Sequence, residues 1–331
     1  MVLENEANVS TNPLVLRELA EPHPGPGHVR IRVRVCGMCR TDLHIVEGEI
    51  SPSTRPIIPG HEVVGIIDRI GNGVKTFREG DRVGIAWLQG TCGHCEFCQS
   101  GRENLCAQPI FSGYHVHGGY AEYAIVPESF AYPIPSLFSD EEAAPLLCAG
   151  IIGYRALRRS QVKPGQRLGL YGFGASAHIT IQIAQYWGCE VYVCSLSQDH
   201  QRLARQLGAV WVGNAMDSPP EKLHSSILFA PAGELVSPAL RALEKGGTLA
   251  LAGIYMTPIP SLDYTQDLFQ ERTLQSVTAN TKQDGLDLFQ EAAIIPIRPY
   301  TKSFPLEEAN VGLQCLKAGT IQGAGVLTIA S

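Results

Sequence analysis

Residues 29–35, VRIRVRV, alternate apolar and charged side chains at every step, the period of a strand with one buried face. VVGIIDRI (63–70) predicts a second strand, and GNGVKTFREGDRVGIAW (71–87) follows with turns at Gly71, Gly73 and Gly80. GGYAEYAIV (118–126) predicts a further strand, entered through a glycine pair. To about residue 145 the pattern is mostly β and is expected to form a partly closed barrel.

From about residue 160 the rhythm changes. QRLGLYGFG (166–174) runs from a strand into a glycine turn, and ASAHITIQIAQYWG (175–188) has helical spacing. CEVYVCSLS (189–197) predicts a second strand, and DHQRLARQLGA (199–209) a second helix closing at Gly208. SSILFAP (225–231), PALRALEKGG (238–247) and TLALAGI (248–254) continue the alternation, which predicts a parallel sheet covered on both faces. Near the end, SFPLEEANVGLQCLKAG (303–319) reads as a helix and GAGVLTI (323–329) as a strand. These could close that sheet or return to the first lobe.

Length and composition narrow the class. The 331 residues suggest about two domains, and 44% apolar with 18% charged residues is an ordinary globular balance. A net charge of -6 without a basic run argues against nucleic acid as a partner. The start, MVLENEANVS, lacks a basic stretch leading into an apolar one, and no apolar run reaches the ~18 residues of a membrane span. A cytoplasmic protein with no membrane partner is expected, and its ten cysteines then belong to a reducing compartment.

Four of those cysteines lie in TCGHCEFCQSGRENLC (91–106). Cys92, Cys95 and Cys98 can turn three sulfurs toward one point, and Cys106 can close a tetrahedron around zinc. A pair of disulfides is the rival reading, and the missing export signal weighs against it. A metal with every position taken by sulfur has none left for a substrate, so this site braces a lobe.

The turn Gly172-Phe173-Gly174-Ala175-Ser176-Ala177 has the form G-x-G-x-x-A between a strand and a helix. Gly172 allows the tight turn, Gly174 lets backbone approach a pyrophosphate, and Ala177 keeps helix and strand close. The anion would face the helix N-terminus. The second strand of such a unit normally ends in an acid that holds the adenine ribose, and here that position is Ser195.

GMCRTDLH (37–44), PGHEVVG (59–65) and PLLCAG (145–150) each carry a candidate ligand: Cys39, His61 and Cys148. Two thiolates and an imidazole leave a fourth zinc position open, as catalytic zinc sites do. Singly each is weak, since a buried cysteine is usually core and a lone histidine usually just hydrogen-bonded. Their order and setting make the case.

These motifs together resemble the zinc-dependent medium-chain alcohol dehydrogenases, in particular the bacterial propanol-preferring and cinnamyl-alcohol-type branches. G-x-C-x-T-D-x-x-H, G-H-E-x-x-G, C-x2-C-x2-C-x7-C, L-C-A-G and G-x-G-x-x-A stand in the family's order over nearly the whole chain. The resemblance implies α/β plus β architecture: a GroES-like catalytic domain with a doubly wound Rossmann dinucleotide-binding domain. The expected divisions are a catalytic domain at 1–148 with its zinc lobe at about 90–107, a cofactor domain at 149–288, and a segment at 289–331 returning to the first. It implies two zinc ions per chain, with Cys39, His61 and Cys148 on the catalytic one and Glu62 as a carboxylate able to exchange onto it.

Asp42 then holds the imidazole of His61, and Thr41 takes the alcohol proton, which passes through the cofactor ribose to His44. Arg40 and Gly253 join the glycine turn in cofactor binding, and Trp87 and Val46 border the substrate. Val46 stands where some ethanol-specialised relatives have tryptophan, which implies a roomier pocket. Two departures concern the cofactor. Gly323-Ala324-Gly325-Val326 replaces the G-R-x-V of many relatives, and Ser195 replaces the ribose acid. Ser195 and Ser197, with Arg202 or His200 nearby, are expected to tilt the enzyme modestly toward NADP(H) over NAD(H). The expected function is interconversion of primary alcohols and aldehydes by a homo-oligomer, dimer or tetramer. A polyol dehydrogenase and an inactive homologue are the alternatives; Cys148 argues against the first, and retention of every zinc ligand against the second.

Overall fold

The computed structural model describes residues 1–295 and 297–329. The chain forms two compact units. One is Met1–Cys148 with Asn280–Ile294 and the chain from Pro299 onward; the other is Ala149–Ala279 with Ile295–Arg298.

The first unit is built on the alternating run, which becomes strand β1 (His28–Met38). Val29, Ile31, Val33 and Val35 point into the core, while Arg32 and Arg34 face solvent as the pattern predicts. Arg30 breaks the rule. It is buried because Asp68 binds it at 3.0 and 2.7 Å and the Tyr123 ring lies 4.6 Å from its guanidinium carbon. Helix α1 (Arg40–Val46) follows, then β2 (Glu62–Ile70), β3 (Arg82–Ile85), β4 (Tyr123–Pro127) and β5 (Ala131–Pro133).

The strand expected over 118–126 pairs with β1 only from Tyr123 onward. Its glycine pair does something else. The N–H groups of Gly118, Gly119 and Tyr120 donate to the carbonyls of Ile58, Gly60 and Pro59 at 2.7, 3.0 and 3.0 Å, which pins the loop just before His61. A Cβ at Gly118 would sit 1.9 Å from the Gly60 carbonyl oxygen, so only glycine admits this approach.

The second unit alternates as predicted. It runs α2 (Ala149–Ser160), β6 (Arg167–Tyr171), α3 (Ala175–Tyr186), β7 (Glu190–Cys194), α4 (Gln198–Gln206), β8 (Trp211–Gly213), β9 (Leu223–Leu228), α5 (Val236–Arg241), β10 (Leu243–Leu251) and β11 (Thr273–Ser276). All pairings are parallel, in the order β8-β7-β6-β9-β10-β11. The strand order reverses between β6 and β9, and the crevice at the carboxyl ends there is where such sheets bind nucleotides. PALRALEKGG splits: its helix ends at Arg241 and LEKGG enters β10.

The chain leaves this unit after Ala279, ahead of the division expected at 289. Helix α6 (Lys282–Ala292) already belongs to the first unit. Thr281 and Asp284 form a capping box at its start, Glu103 accepts the Lys282 N–H at 2.7 Å, and the Phe289 ring lies 6.2 Å from that of Tyr132. Strand β12 (Thr301–Pro305) takes SFP from the expected helix, which narrows to α7 (Ala309–Ala318) after a short 3-10 turn. Strand β13 (Ala324–Thr328) then pairs with β1, completing a seven-stranded sheet in the order β12-β13-β1-β2-β3-β5 with β4 beside β13 on β1. No helix among the described residues is long and apolar enough to cross a membrane.

Candidate active site and zinc lobe

The sulfur cluster forms. Cys92, Cys95, Cys98 and Cys106 bring their Sγ atoms within 4.8 Å of one another, with Cys92 to Cys98 at 3.8 Å and Cys95 to Cys98 at 3.5 Å. A disulfide needs about 2.05 Å, whereas a tetrahedron with ~2.3 Å zinc–sulfur bonds has edges of about 3.8 Å. Backbone N–H groups aim at the sulfurs: Cys95 at Cys92 and Cys92 at Cys106, both 3.4 Å, and Gln108 at Cys106, 3.3 Å. The amides of His94 and Cys95 hold the Cys92 thiol down at about 6, which favours the thiolate a metal binds. The donors fit zinc and leave no position for a substrate.

The second cluster is assembled around the start of α1. Cys39 is its N-cap, in extended conformation, and its Sγ accepts the Thr41 N–H at 3.2 Å. Asp42, three residues on, closes the capping box by accepting the Cys39 N–H at 2.9 Å. Its other oxygen accepts from Gly60 N–H and from His61 Nδ1, each at 3.1 Å. That bond turns His61 Nε2 toward Cys39 Sγ, 3.2 Å away. Cys148 brings its Sγ to 3.9 Å from that of Cys39, and Glu62 supplies a fourth donor, all four within 4.8 Å.

Burial makes this cluster demand a cation. Asp42, His61 and Glu62 are at most 1% exposed. Burial pushes the Glu62 carboxyl well up, with the Cys39 thiolate adding to it, and Glu62 Oε2 has no hydrogen-bond partner among the described residues. The hydrogen bond from Cys148 holds Cys39 well below its usual range against burial, and Cys148 itself is pushed up by Cys39. Burial opposes charge on His61, but Asp42 and Cys39 more than offset it. Two thiols and two carboxyls thus share one imidazole as counter-charge. A divalent cation among the donors resolves that imbalance, and the soft sulfur-and-nitrogen set suits zinc.

Gly37, paired with Glu62 across β1 and β2, makes room for the carboxylate. A Cβ there would meet Glu62 Oε2 at 1.9 Å and Glu62 Cβ at 2.8 Å. Gly37→Ala should therefore displace Glu62 and lower stability by about 1–3 kcal/mol, the usual range for overpacking. Urea denaturation checks this; an unchanged midpoint would mean the carboxylate moves freely.

Trp87 sits with its ring 5.0 Å from that of His61, edge to face. Phe111 stacks on it at 4.7 Å, Tyr114 lies at 5.9 Å, and His115 adjoins both Phe111 and Tyr114. Phe111, Tyr114 and His115 have no sequence motif and escaped the reading of the chain. Val46 is fully buried on the inward side of α1, in the apolar core of the first unit against which Trp87 and Tyr114 also pack; helical spacing places 42, 43, 45 and 46 on that side. Thr41 is buried on the same helix, Arg40 is exposed, and His44 meets the carboxylate of Glu49.

In the second unit, Gly172 has φ 87°, and a Cβ there would press on the Ala230 backbone at 2.9 Å. Gly174 has no neighbour within 4 Å of where a Cβ would be, and no side chain caps the helix it opens. Ala175 and Ser176 begin α3, and Ala177 is fully buried against the sheet. An open space before uncapped N–H groups fits a dinucleotide pyrophosphate. Ser195 is buried just past β7, and Gly253 just past β10, both at carboxyl ends of the sheet. Ser197 accepts the His200 N–H as N-cap of α4, and Arg202 pairs with Asp199 on that helix. Ala324 is buried in β13.

The alcohol dehydrogenase GroES-like domain family matches residues 25–136, and the zinc-binding dehydrogenase family matches residues 177–293. A Mycobacterium tuberculosis protein named "Probable alcohol dehydrogenase AdhA" is 50% identical over 97% of this chain and 94% of its own. A Sorghum bicolor cinnamyl alcohol dehydrogenase structure superposes with TM-score 0.89 at 26% identity, covering 98% of this chain and 96% of that one. A Helicobacter pylori structure, titled as CAD complexed with NADP(H), does so at 0.84 and 26%, covering 92% and 91%. The chain belongs to the zinc-dependent medium-chain alcohol dehydrogenases, which interconvert alcohols and aldehydes with a nicotinamide cofactor.

Proposed function

We propose that the enzyme oxidises primary alcohols, aliphatic or aromatic, and reduces the corresponding aldehydes, at the Cys39–His61–Cys148 cluster. The observation that carries this is the cluster itself: two sulfurs and an imidazole in one buried place, with Glu62 beside them and Thr41 on the helix that Cys39 caps. Zinc held there would acidify an alcohol hydroxyl and, in reverse, polarise an aldehyde carbonyl. Asp42 orients His61 and fixes its tautomer. Thr41 takes the substrate proton, and His44, one turn further along α1, carries it toward solvent. Trp87, with Phe111 and Tyr114, offers an apolar aromatic wall beside His61 that suits a hydrocarbon chain or an aryl ring. Cys148 in the donor set supports an alcohol over a polyol substrate. A panel of primary alcohols, polyols and their carbonyl products tests the reading; faster turnover of polyols would overturn it.

The cofactor is NAD(P), held in the second unit by Gly172, Gly174, Ala175, Ser176, Ala177 and Gly253. We infer that both forms work, with NADP(H) modestly ahead. The support is the serine at position 195, where a carboxylate would repel a 2′-phosphate. Ser197 and Arg202 are committed to local partners, which keeps the preference small. Ser195→Asp should swing kcat/KM toward NAD(H) by at least about tenfold, ~1.4 kcal/mol. A wild-type enzyme already a thousandfold selective for NAD(H) would contradict the serine reading. A dimer or tetramer is proposed on exposed Ile254, Tyr255, Tyr264 and Phe269, in the segment leading to the sheet-edge strand β11. A cytoplasmic location is in keeping with ten cysteines that form no disulfide.

A further inference from the structure

Helix α1 stops at Val46, and Gly48 turns the chain back with φ 78°. The Ile50 N–H then donates to the His44 carbonyl at 3.1 Å, which lays the intervening Glu49 beside the His44 ring. A Cβ at position 48 would also lie 3.1 Å from Glu6 Cβ, so both backbone conformation and space call for glycine at this turn. Glu49 Oε2 meets His44 Nδ1 there.

Other charges face the same ring. Glu47, at the end of α1, interacts electrostatically with His44, but its Oε1 accepts from Lys317 Nζ of α7 at 2.7 Å and from the Val9 N–H at 2.9 Å. Its charge is answered by that lysine. Glu49 has His44 as its ion-pair partner among the described residues.

We propose that Glu49 is a positioning residue for proton release, acting through His44. The inference rests on the relay proposed above. The carboxylate accepts the Nδ1 hydrogen, which leaves Nε2 as the nitrogen with a lone pair. It also stabilises the imidazolium once Nε2 has taken the proton lost by the alcohol. The proton goes from Nε2 to bulk water, and Glu49 stays ionised throughout.

The test is the pH profile of the first-turnover rate of alcohol oxidation, followed by absorbance of the reduced cofactor. Glu49→Gln removes the charge and keeps the shape. Its plateau rate should fall about 3- to 10-fold, because His44 becomes a weaker base. Glu49→Asp, which keeps the carboxylate, should recover most of that loss. A purely structural role would lower the rate without rescue by the retained carboxylate. His44→Ala should cost ~10–100-fold, and adding Glu49→Gln to it should cost nothing more. A Glu49→Gln profile that overlays wild type while His44→Ala is impaired would overturn the role of Glu49 and leave the relay standing. An equal loss from Glu49→Gln in both backgrounds would also overturn it. A fully active His44→Ala enzyme would instead remove the relay, and this inference with it.

Discussion

Cys39→Ala will abolish turnover yet leave a folded chain holding about one zinc ion, whereas Cys98→Ala will chiefly destabilise. The two cysteines look alike in composition but occupy different surroundings. Cys39 belongs to a buried set with one imidazole, and its loss removes both a ligand and the N-cap of α1. A lost cap costs about 1 kcal/mol, which a protein of this size tolerates. Cys98 belongs to a lobe without a buried side chain of its own on the short helix Glu96–Gln99, so the metal takes the place of a core there. Binding free energy at such a site is folding free energy. Metal analysis, thermal unfolding and turnover on the three proteins check this. One zinc ion in intact wild-type protein would sink the assignment of two unequal sites.

Thr41→Ala should lose most of the rate, on the order of 10²–10⁴-fold, the contribution of a well-placed proton-transfer group. Thr41 is buried on the helix that Cys39 caps, where solvent does not easily stand in for its hydroxyl. Its N–H bond to Cys39 Sγ survives the change to alanine, so the cluster should keep its geometry and its metal. Thr41→Ser, which keeps the hydroxyl, should recover most of the activity. A Thr41→Ala enzyme within threefold of wild type, with zinc retained, would show that another group takes the proton. The loss should exceed that of His44→Ala, because His44 lies nearer solvent and water can replace it.

Much of this was legible in the chain. The alternation of VRIRVRV reports which face of a strand is buried, and that is a local property of side chains and a two-residue period. The shift to strand–helix alternation after residue 160 reports a parallel sheet for the same reason. The four clustered cysteines can be read without coordinates, because a sixteen-residue stretch constrains its own sulfurs. The glycine turn is equally local: Gly172 needs its φ of 87° whatever lies further off.

Long-range placement was not legible. The glycine pair at 118 and 119 reads as the entry to a strand, but contact with Pro59 and Gly60 makes it the clamp behind His61. Arg30 reads as a solvent-facing residue until Asp68 arrives on the neighbouring strand. Helix α6 reads as part of the second unit until Glu103 and Tyr132 hold it to the first. Sequence by itself determined the periodicities, the ligand types and the order of the motifs, since each depends on neighbours along the chain. Tertiary structure alone decided which ligands meet, which carboxylates are buried beside them, and that Glu49 folds back onto His44, since those depend on residues brought together by packing.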